Sequence, residues 1–226
     1  MLFCSRRLLF FAALAVAVPL GAQPAPGLPP EVTARIEALI HAEMTQQGIP
    51  GVSAAVVTRD ELRWAKGFGV ADLENQTPVR PVTMFRLASI SKPITAVAAM
   101  QLAERGKLDL DAPVQRYVPT FPEKQWTVTC RQLMGHLGGV RHYRGDEIAS
   151  TRRYESLTEA LTIFKDDPLL HEPGTKYTYT TYGYNLLGSA VEGAAGESFP
   201  EYLDAHIFRP ARMESIRVDD AAAIIP

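Results

Sequence analysis

The sequence predicts an α+β protein in which a helix and an antiparallel hairpin precede a mostly helical region. Three observations indicate this: apolar residues recur with a helical period over residues 31–47, two β-rich runs flank a polar turn at residues 58–61, and helical segments broken by loops follow from residue 84. A two-stranded sheet is marginally stable in water. We therefore expect that only the N-terminal hairpin of an antiparallel sheet is present, that the C-terminal strands are missing, and that the chain is the N-terminal portion of a longer protein.

The composition is typical of a globular protein. The 226 residues include 23 basic and 25 acidic side chains, for a net charge of −2, and 46% of them are hydrophobic. That fraction is ample for a substantial core. Without a basic excess, no nucleic-acid partner is expected, and no pattern in the sequence indicates a cofactor.

The first residues have the order of a secretory signal peptide. Two arginines precede an apolar run at residues 8–18, and Pro19, Gly21 and Ala22 follow it. The run is about half of the ~20 apolar residues that a spanning helix needs. We therefore predict a signal peptide at residues 1–22, a periplasmic or secreted protein, and no membrane span after the signal is removed.

The remaining chain divides into three predicted segments. A proline-rich linker covers residues 23–30, the N-terminal part of an α/β domain covers residues 31–83, and the mostly helical region covers residues 84–226. With Cys4 in the signal peptide, Cys130 is left alone, so no intrachain disulfide can form. We expect this cysteine to pack as a small apolar residue.

Each secondary-structure element has a local signal. The helix at residues 31–47 has one apolar stripe and ends at Gly48; the stripe is formed by Val32, Ile36, Leu39 and Ile40. In the second strand of the hairpin, Gly67 and Gly69 allow a bend or the close approach of another backbone. Further helices are predicted at residues 84–105, 156–164, 183–195 and 199–207.

A serine and a lysine stand three residues apart where the second long helix begins. Residues at positions i and i+3 share a helix face about 5–6 Å apart, so the Lys92 amine can reach the Ser89 hydroxyl. A Ser-x-x-Lys pair alone is weak, because about one match occurs by chance in a chain of this length. The alternative is that Ser89 or Ser91 only caps the helix.

A second cluster of chemistry-bearing residues lies near residue 180. Four tyrosines crowd around Gly174 and Gly183, namely Tyr177, Tyr179, Tyr182 and Tyr184. Most such tyrosines pack amphipathically at a strand end and a helix start. One of them could instead pass a proton between a serine and a leaving group.

Taken together, two segments resemble the serine β-lactamase and penicillin-binding-protein superfamily. They are "FRLASISKPITAVAAMQLAERGKLDLDAPV" at residues 85–114 and "PGTKYTYTTYGYNLLG" at residues 173–188. Within the superfamily, the chain is most similar to class C β-lactamases, family VIII esterases and β-lactamase-like serine proteases. "GHLGGVRHYRGDE" at residues 135–147 resembles the protease branch. The resemblance begins near residue 31 and implies a β-lactamase/transpeptidase-like fold.

The resemblance also implies roles for four residues. Ser89 would be the acylated nucleophile of a serine hydrolase, Lys92 its base, and Tyr179 a proton relay. Thr181 stands at the third, substrate-binding place of the superfamily's Tyr-x-Asn motif, where a hydroxyl cannot reproduce the paired donor and acceptor of an amide. The implied substrates are β-lactams, esters or peptidoglycan-type peptides. Whether Lys92 or a Tyr179 phenolate removes the serine proton stays open, because an unperturbed lysine is protonated at neutral pH.

The superfamily's third motif, a Lys or His followed by any residue and Gly on a sheet strand, would lie beyond Pro226. His136-Leu137-Gly138 fits its letters but precedes Tyr179, so we expect His136 to order its loop. That strand also supplies half of the implied oxyanion hole, whose other donor is the Ser89 N–H. We therefore expect weak or no turnover from this chain by itself.

Three other interpretations compete with this one. A non-catalytic penicillin-recognising binding or sensor protein of the same fold stays open, because Thr181 departs from the motif. An α/β-hydrolase elbow around Ser53 is disfavoured, because Ala55 stands where that motif requires glycine. A metal hydrolase, with His136, His142, His171 and Asp146 as ligands, is also disfavoured. The sequence lacks the i, i+4 histidine pair of a helical zinc site.

Overall fold

The computed structural model describes residues 27–219, and the chain divides into two compact units between Thr83 and Met84. The predicted signal peptide at residues 1–22 lies outside the described residues, as does the linker up to residue 26. Among residues 27–219, no helix combines the length and the apolar character that crossing a bilayer requires.

In the first unit, residues 27–83 form a helix and a small antiparallel sheet. Helix α1 spans Pro30–Gln47 and ends as predicted at Gly48, whose left-handed backbone (φ 65°) lets its N–H reach the Met44 carbonyl. Strand β1, Gly51–Thr58, pairs with strand β2, Glu61–Asp72. The two residues between them have positive φ, 52° at Arg59 and 63° at Asp60. That conformation matches the twist of a tight hairpin, so the predicted hairpin is confirmed.

The sheet has a third strand that was not predicted. Strand β3, Thr77–Pro78, pairs antiparallel with β2 and makes a three-stranded sheet in the order β1-β2-β3. Two residues are too few to show an alternating pattern, and proline is tolerated at a sheet edge. The prediction of close backbone approach at β2 is confirmed, because a Cβ at Gly67 would lie 2.1 Å from the Val79 carbonyl oxygen.

The second unit is helical, and its first helix starts later than predicted. Helix α2 spans Ser91–Glu104 and follows a 3-10 turn at Ala88–Ile90, whereas residues 84–87 are not helical. The predicted start at residue 84 is wrong because Ala88 has φ 45°, a left-handed conformation that a right-handed helix cannot pass through.

Four further helices follow in this unit up to residue 219. They are α3 at Cys130–Met134, α4 at Leu157–Ala160, α5 at Thr181–Ala195 and α6 at Phe199–Leu203. A 3-10 turn extends α4, and a π turn at Asp204–Phe208 extends α6. Helix α5 begins two residues before the predicted Gly183, because the Thr180 side chain caps it by accepting the N–H of Gly183.

The core of the second unit lies between α2, α3 and α5. Its fully buried members include Ala98, Leu102, Leu133, Leu186, Leu187 and Val191. Cys130 belongs to the same core with no exposed surface, which confirms that it packs as a small apolar residue. This packing fixes the N-terminal ends of α2 and α5 relative to each other within one unit.

Candidate active site

Ser89 lies in the 3-10 turn that leads into α2. The residue before it, Ala88, has φ 45°, a conformation that costs a residue with a side chain about 1 kcal/mol or more. Such strain is typical of functional sites. Ile90 occupies the N-cap position of α2, and no side chain caps the helix. The alternative in which Ser89 or Ser91 only caps this helix is therefore wrong.

Lys92 connects the start of α2 to the start of α5. Its side chain is buried, and its amine donates to the Ser89 hydroxyl at 3.3 Å and to the Thr181 hydroxyl at 3.2 Å. The same nitrogen lies 4.8 Å from the centre of the Tyr179 ring. The amine is thus held between a candidate nucleophile and two side chains that are about 90 residues away in sequence.

Tyr179 completes the cluster. Its hydroxyl lies 2.7 Å from the Ser89 hydroxyl, and its side chain is partly exposed to solvent. It stands two residues before the first residue of α5, with Thr180 between them as the helix N-cap. The structure therefore brings together all four residues that the resemblance singles out, in one continuous hydrogen-bonded group.

The electrostatics of the cluster make the Tyr179 phenol more acidic than usual. Interaction with the Lys92 amine, and then the hydrogen bond with Ser89, lower the pKa of Tyr179 below its ordinary value, against a smaller effect of burial. A phenol of lowered pKa next to a serine hydroxyl is a candidate proton acceptor.

Two histidines that the sequence analysis linked only to a disfavoured metal site lie against the Tyr179 ring. The His136 ring centre lies 4.5 Å from the Tyr179 ring centre, and the His142 ring meets the same ring edge-on at 5.5 Å. His136 also accepts a hydrogen bond from the Thr180 N–H, so the expectation that it orders its loop is confirmed. Both histidines lie on an irregular loop, so their spacing in the sequence has no helix or strand period that could have placed them next to Tyr179.

The structure does not support the two other enzyme hypotheses. Ser53 lies inside β1 rather than on a sharp turn before a helix. Within residues 27–219, no group of three or more His, Cys, Asp or Glu side chains could hold a metal ion. His171, one of the candidate ligands, is instead hydrogen-bonded to the Thr178 hydroxyl at 2.9 Å.

Comparison with known proteins gives one consistent family. The Beta-lactamase family model matches residues 36–226. Human "Serine beta-lactamase-like protein LACTB, mitochondrial" is 32% identical over 234 residues, which cover 73% of this chain and 43% of the human protein. The chain thus spans less than half the length of this curated relative.

Solved structures show the same likeness. The octameric penicillin-binding protein homologue from Pyrococcus abyssi is 29% identical with a TM-score of 0.70, over 80% of this chain and 43% of that one. EstCE1, described as a hydrolase with promiscuous acyltransferase activity, is 26% identical with a TM-score of 0.70, over 79% of this chain and 51% of that one. These neighbours support the predicted β-lactamase/transpeptidase-like fold.

Proposed function

Since this chain belongs to the Beta-lactamase family, we propose that the protein containing it is a serine hydrolase that acts through an acyl-enzyme formed on Ser89. The observation that carries the proposal is the 2.7 Å separation of the Ser89 and Tyr179 hydroxyls, with the Lys92 amine 3.3 Å from the same serine. A nucleophile within hydrogen-bond reach of its base, with a third group that orients the base, is the arrangement that covalent catalysis needs.

In the proposed mechanism, Tyr179 is the base. Its phenolate, stabilised by the Lys92 ammonium, takes the proton of the Ser89 hydroxyl while the serine oxygen bonds to the substrate carbonyl carbon. The tetrahedral intermediate then collapses, the bond to the leaving group breaks, and Tyr179 returns the proton to the departing alcohol or amine. Water hydrolyses the resulting ester by the same proton transfers. The lowered pKa of Tyr179 supports this assignment over one in which Lys92 is the base.

Thr181 supports short esters as the substrates to test first, ahead of β-lactams and peptides. Its hydroxyl accepts a hydrogen bond from the Lys92 amine. The motif's asparagine would offer a substrate amide both a donor and an acceptor, which one hydroxyl cannot do at once. A penicillin-recognising binder without turnover is the second candidate, and the same departure at Thr181 favours it. For either function, the leader pattern in the first 22 residues supports a periplasmic or secreted location.

The test is covalent labelling of the protein in its full native length. A fluorophosphonate probe is expected to modify Ser89, as identified by peptide mass spectrometry, and a Ser89→Ala variant should stay unlabelled. Rates on p-nitrophenyl butyrate and nitrocefin then separate an esterase from a β-lactamase. Labelling elsewhere, or no labelling with a folded protein, would refute the hydrolase and favour the binder.

A further inference from the structure

The segment that presents Tyr179 and Thr181 is fastened to the loop at residues 136–142 by four hydrogen bonds. The Thr178 N–H donates to the His136 carbonyl at 2.9 Å, and the Thr180 hydroxyl donates to the Arg141 carbonyl at 2.6 Å. The other two bonds use imidazoles: the Thr180 N–H donates to His136 Nδ1 and the Thr181 N–H donates to His142 Nδ1, both at 3.2 Å. The two imidazoles therefore hold the backbone just after Tyr179, and the His136 carbonyl holds it just before.

The same two imidazoles fix the orientation of the Tyr179 ring. His136 packs against it with 38° between the ring planes, and His142 meets it at 86°. The Lys92 amine lies over the ring as well. With three groups around the ring, the phenol oxygen is held within reach of Ser89.

This arrangement requires both imidazoles to be neutral. Each Nδ1 accepts an N–H bond, so the remaining proton must be on Nε2. An imidazolium has no acceptor, so protonation would break the bond to the Thr180 or Thr181 N–H and place a cation near Lys92. Burial first, and then the charge of Lys92, lower the pKa values of His136 and His142 below their ordinary value; His142 lowers that of His136 further.

The groups that face the two rings come from α2, from α5 and the segment before it, and from the loop that carries His142. Lys92 on α2 is the cation. The titratable ring neighbours of His136 are Tyr177, Tyr179 and Tyr184, and those of His142 are Tyr143 and Tyr179. All of these ring neighbours are phenols, so a proton gained by either imidazole places a second cation beside the Lys92 amine.

We propose that His136 and His142 are positioning residues for Tyr179 and Thr181, and that protonation of either imidazole releases the phenol from Ser89 and stops acylation. The inference rests on the proposed function, because its consequence is a rate of acylation. It adds a cause of lost activity in acid that is separate from the proton transfer between Tyr179 and Ser89. Protonation of each imidazole should lower the acylation rate about tenfold for every pH unit below the pKa of that imidazole, because only molecules with the neutral ring hold Tyr179 in place.

The experiment replaces each histidine with asparagine in the full-length protein. The Asn side-chain oxygen can accept the same backbone N–H but does not titrate. We measure kcat and KM on p-nitrophenyl butyrate, and the rate of fluorophosphonate labelling, from pH 4.5 to 9. The wild-type profile should steepen below the ordinary histidine range, and each of His136→Asn and His142→Asn should remove about one unit of that slope. His206→Asn, at a histidine paired with Glu197 away from the site, is the matched control and should leave the profile unchanged.

Leucine at either position separates positioning from titration. His136→Leu and His142→Leu leave a backbone N–H without an acceptor, which should lower kcat about tenfold at every pH with little change in KM. Asparagine should restore most of that kcat at pH 8. If the pH profiles of both asparagine variants keep an acid limb as steep as that of the wild type, the inference is overturned.

An NMR measurement decides the inference even if the proposed hydrolase function fails. Histidine ¹⁵N shifts should show the Nε2–H tautomer for both residues at pH 7, and the Tyr179 ¹³Cζ shift should respond to their titration in the wild type but not in the asparagine variants. The Nδ1–H tautomer, or a cationic ring at pH 7, would contradict the positioning role. A wild-type protein with the expected tautomers that neither labels nor turns over would refute the hydrolase alone.

Discussion

Replacing Arg141 with leucine should release the loop that carries His136 and His142. The Arg141 side chain is 6% exposed, and its guanidinium donates to both carboxylate oxygens of Glu147, at 2.7 and 2.9 Å, and to Asp167. It also donates to the carbonyls of His142 and Ile163. One buried cation thus joins the candidate-site loop to the segment that follows α4.

The magnitude follows from what the substitution leaves behind. The side chains of Glu147 and Asp167 are 26% and 28% exposed, so both carboxylates would stay partly buried without their cation. Removing one partner of a fully buried pair costs about 3–5 kcal/mol, and the partial exposure places this site near the lower end. The network lowers the pKa of Glu147 to about 2 from 4.5. At about 1.4 kcal/mol for each pKa unit, the interactions of that carboxylate together contribute about 3 kcal/mol; the hydrogen bond from Arg141 is the largest of them, ahead of those from the Arg144 N–H and Tyr182.

The sign of the pH dependence gives a second test. The folded-state pKa of Glu147 is below its unfolded value, so its contribution is fully present above pH 4.5 and is lost as the pH falls toward 2. Asp167 acts in the same direction, because the hydrogen bond from Arg141 lowers its pKa as well. The difference in unfolding free energy between wild type and Arg141→Leu should therefore shrink to about half or less at pH 3.

The assay is urea unfolding of both proteins, at full length, at pH 7 and pH 3. Arg131→Leu is the matched control: Arg131 also binds both oxygens of one carboxylate, Asp111, but both side chains are more than half exposed. Exposed pairs contribute little, so that variant should unfold close to wild type. The reasoning is refuted if Arg141→Leu and Arg131→Leu lose equal stability at pH 7, or if the loss for Arg141→Leu is the same at both pH values.

Three further predictions concern the site and the core. Tyr179→Phe should keep the fold but slow ester hydrolysis and Ser89 labelling by about 10²–10⁴-fold, which is the usual contribution of a general base. Steady-state and labelling kinetics measure this change. A decrease of less than threefold would contradict the role of Tyr179 as the base. Thr181→Asn, which restores the amide of the motif, should raise the ratio of nitrocefin to p-nitrophenyl butyrate turnover, while Thr181→Val removes an acceptor of the Lys92 amine and should lower both rates. Burial raises the pKa of the Cys130 thiol to about 12, so iodoacetamide should not modify the folded protein, and rapid alkylation at pH 8 would contradict its placement in the core.

Sequence reasoning was most successful where the signal is local. The helix end at Gly48 and the hairpin turn both act through neighbouring residues, and the structure has both where the pattern predicts them. It failed at the start of α2, where the strained Ala88 interrupts a helical pattern that otherwise extends back to residue 84. An alanine gives no sign of left-handed backbone, because the surrounding fold imposes that conformation.

For the candidate site, the sequence by itself determined that Ser89 and Lys92 could meet, because one helical turn brings positions i and i+3 together. The third partner, Tyr179, came from resemblance, since no local rule links residues 90 positions apart. Only the tertiary structure decided that His136 and His142 surround that phenol and that Arg141 secures their loop. Those contacts depend on how α2, α3 and α5 pack, and packing between distant segments leaves no periodic trace in the residues that it joins.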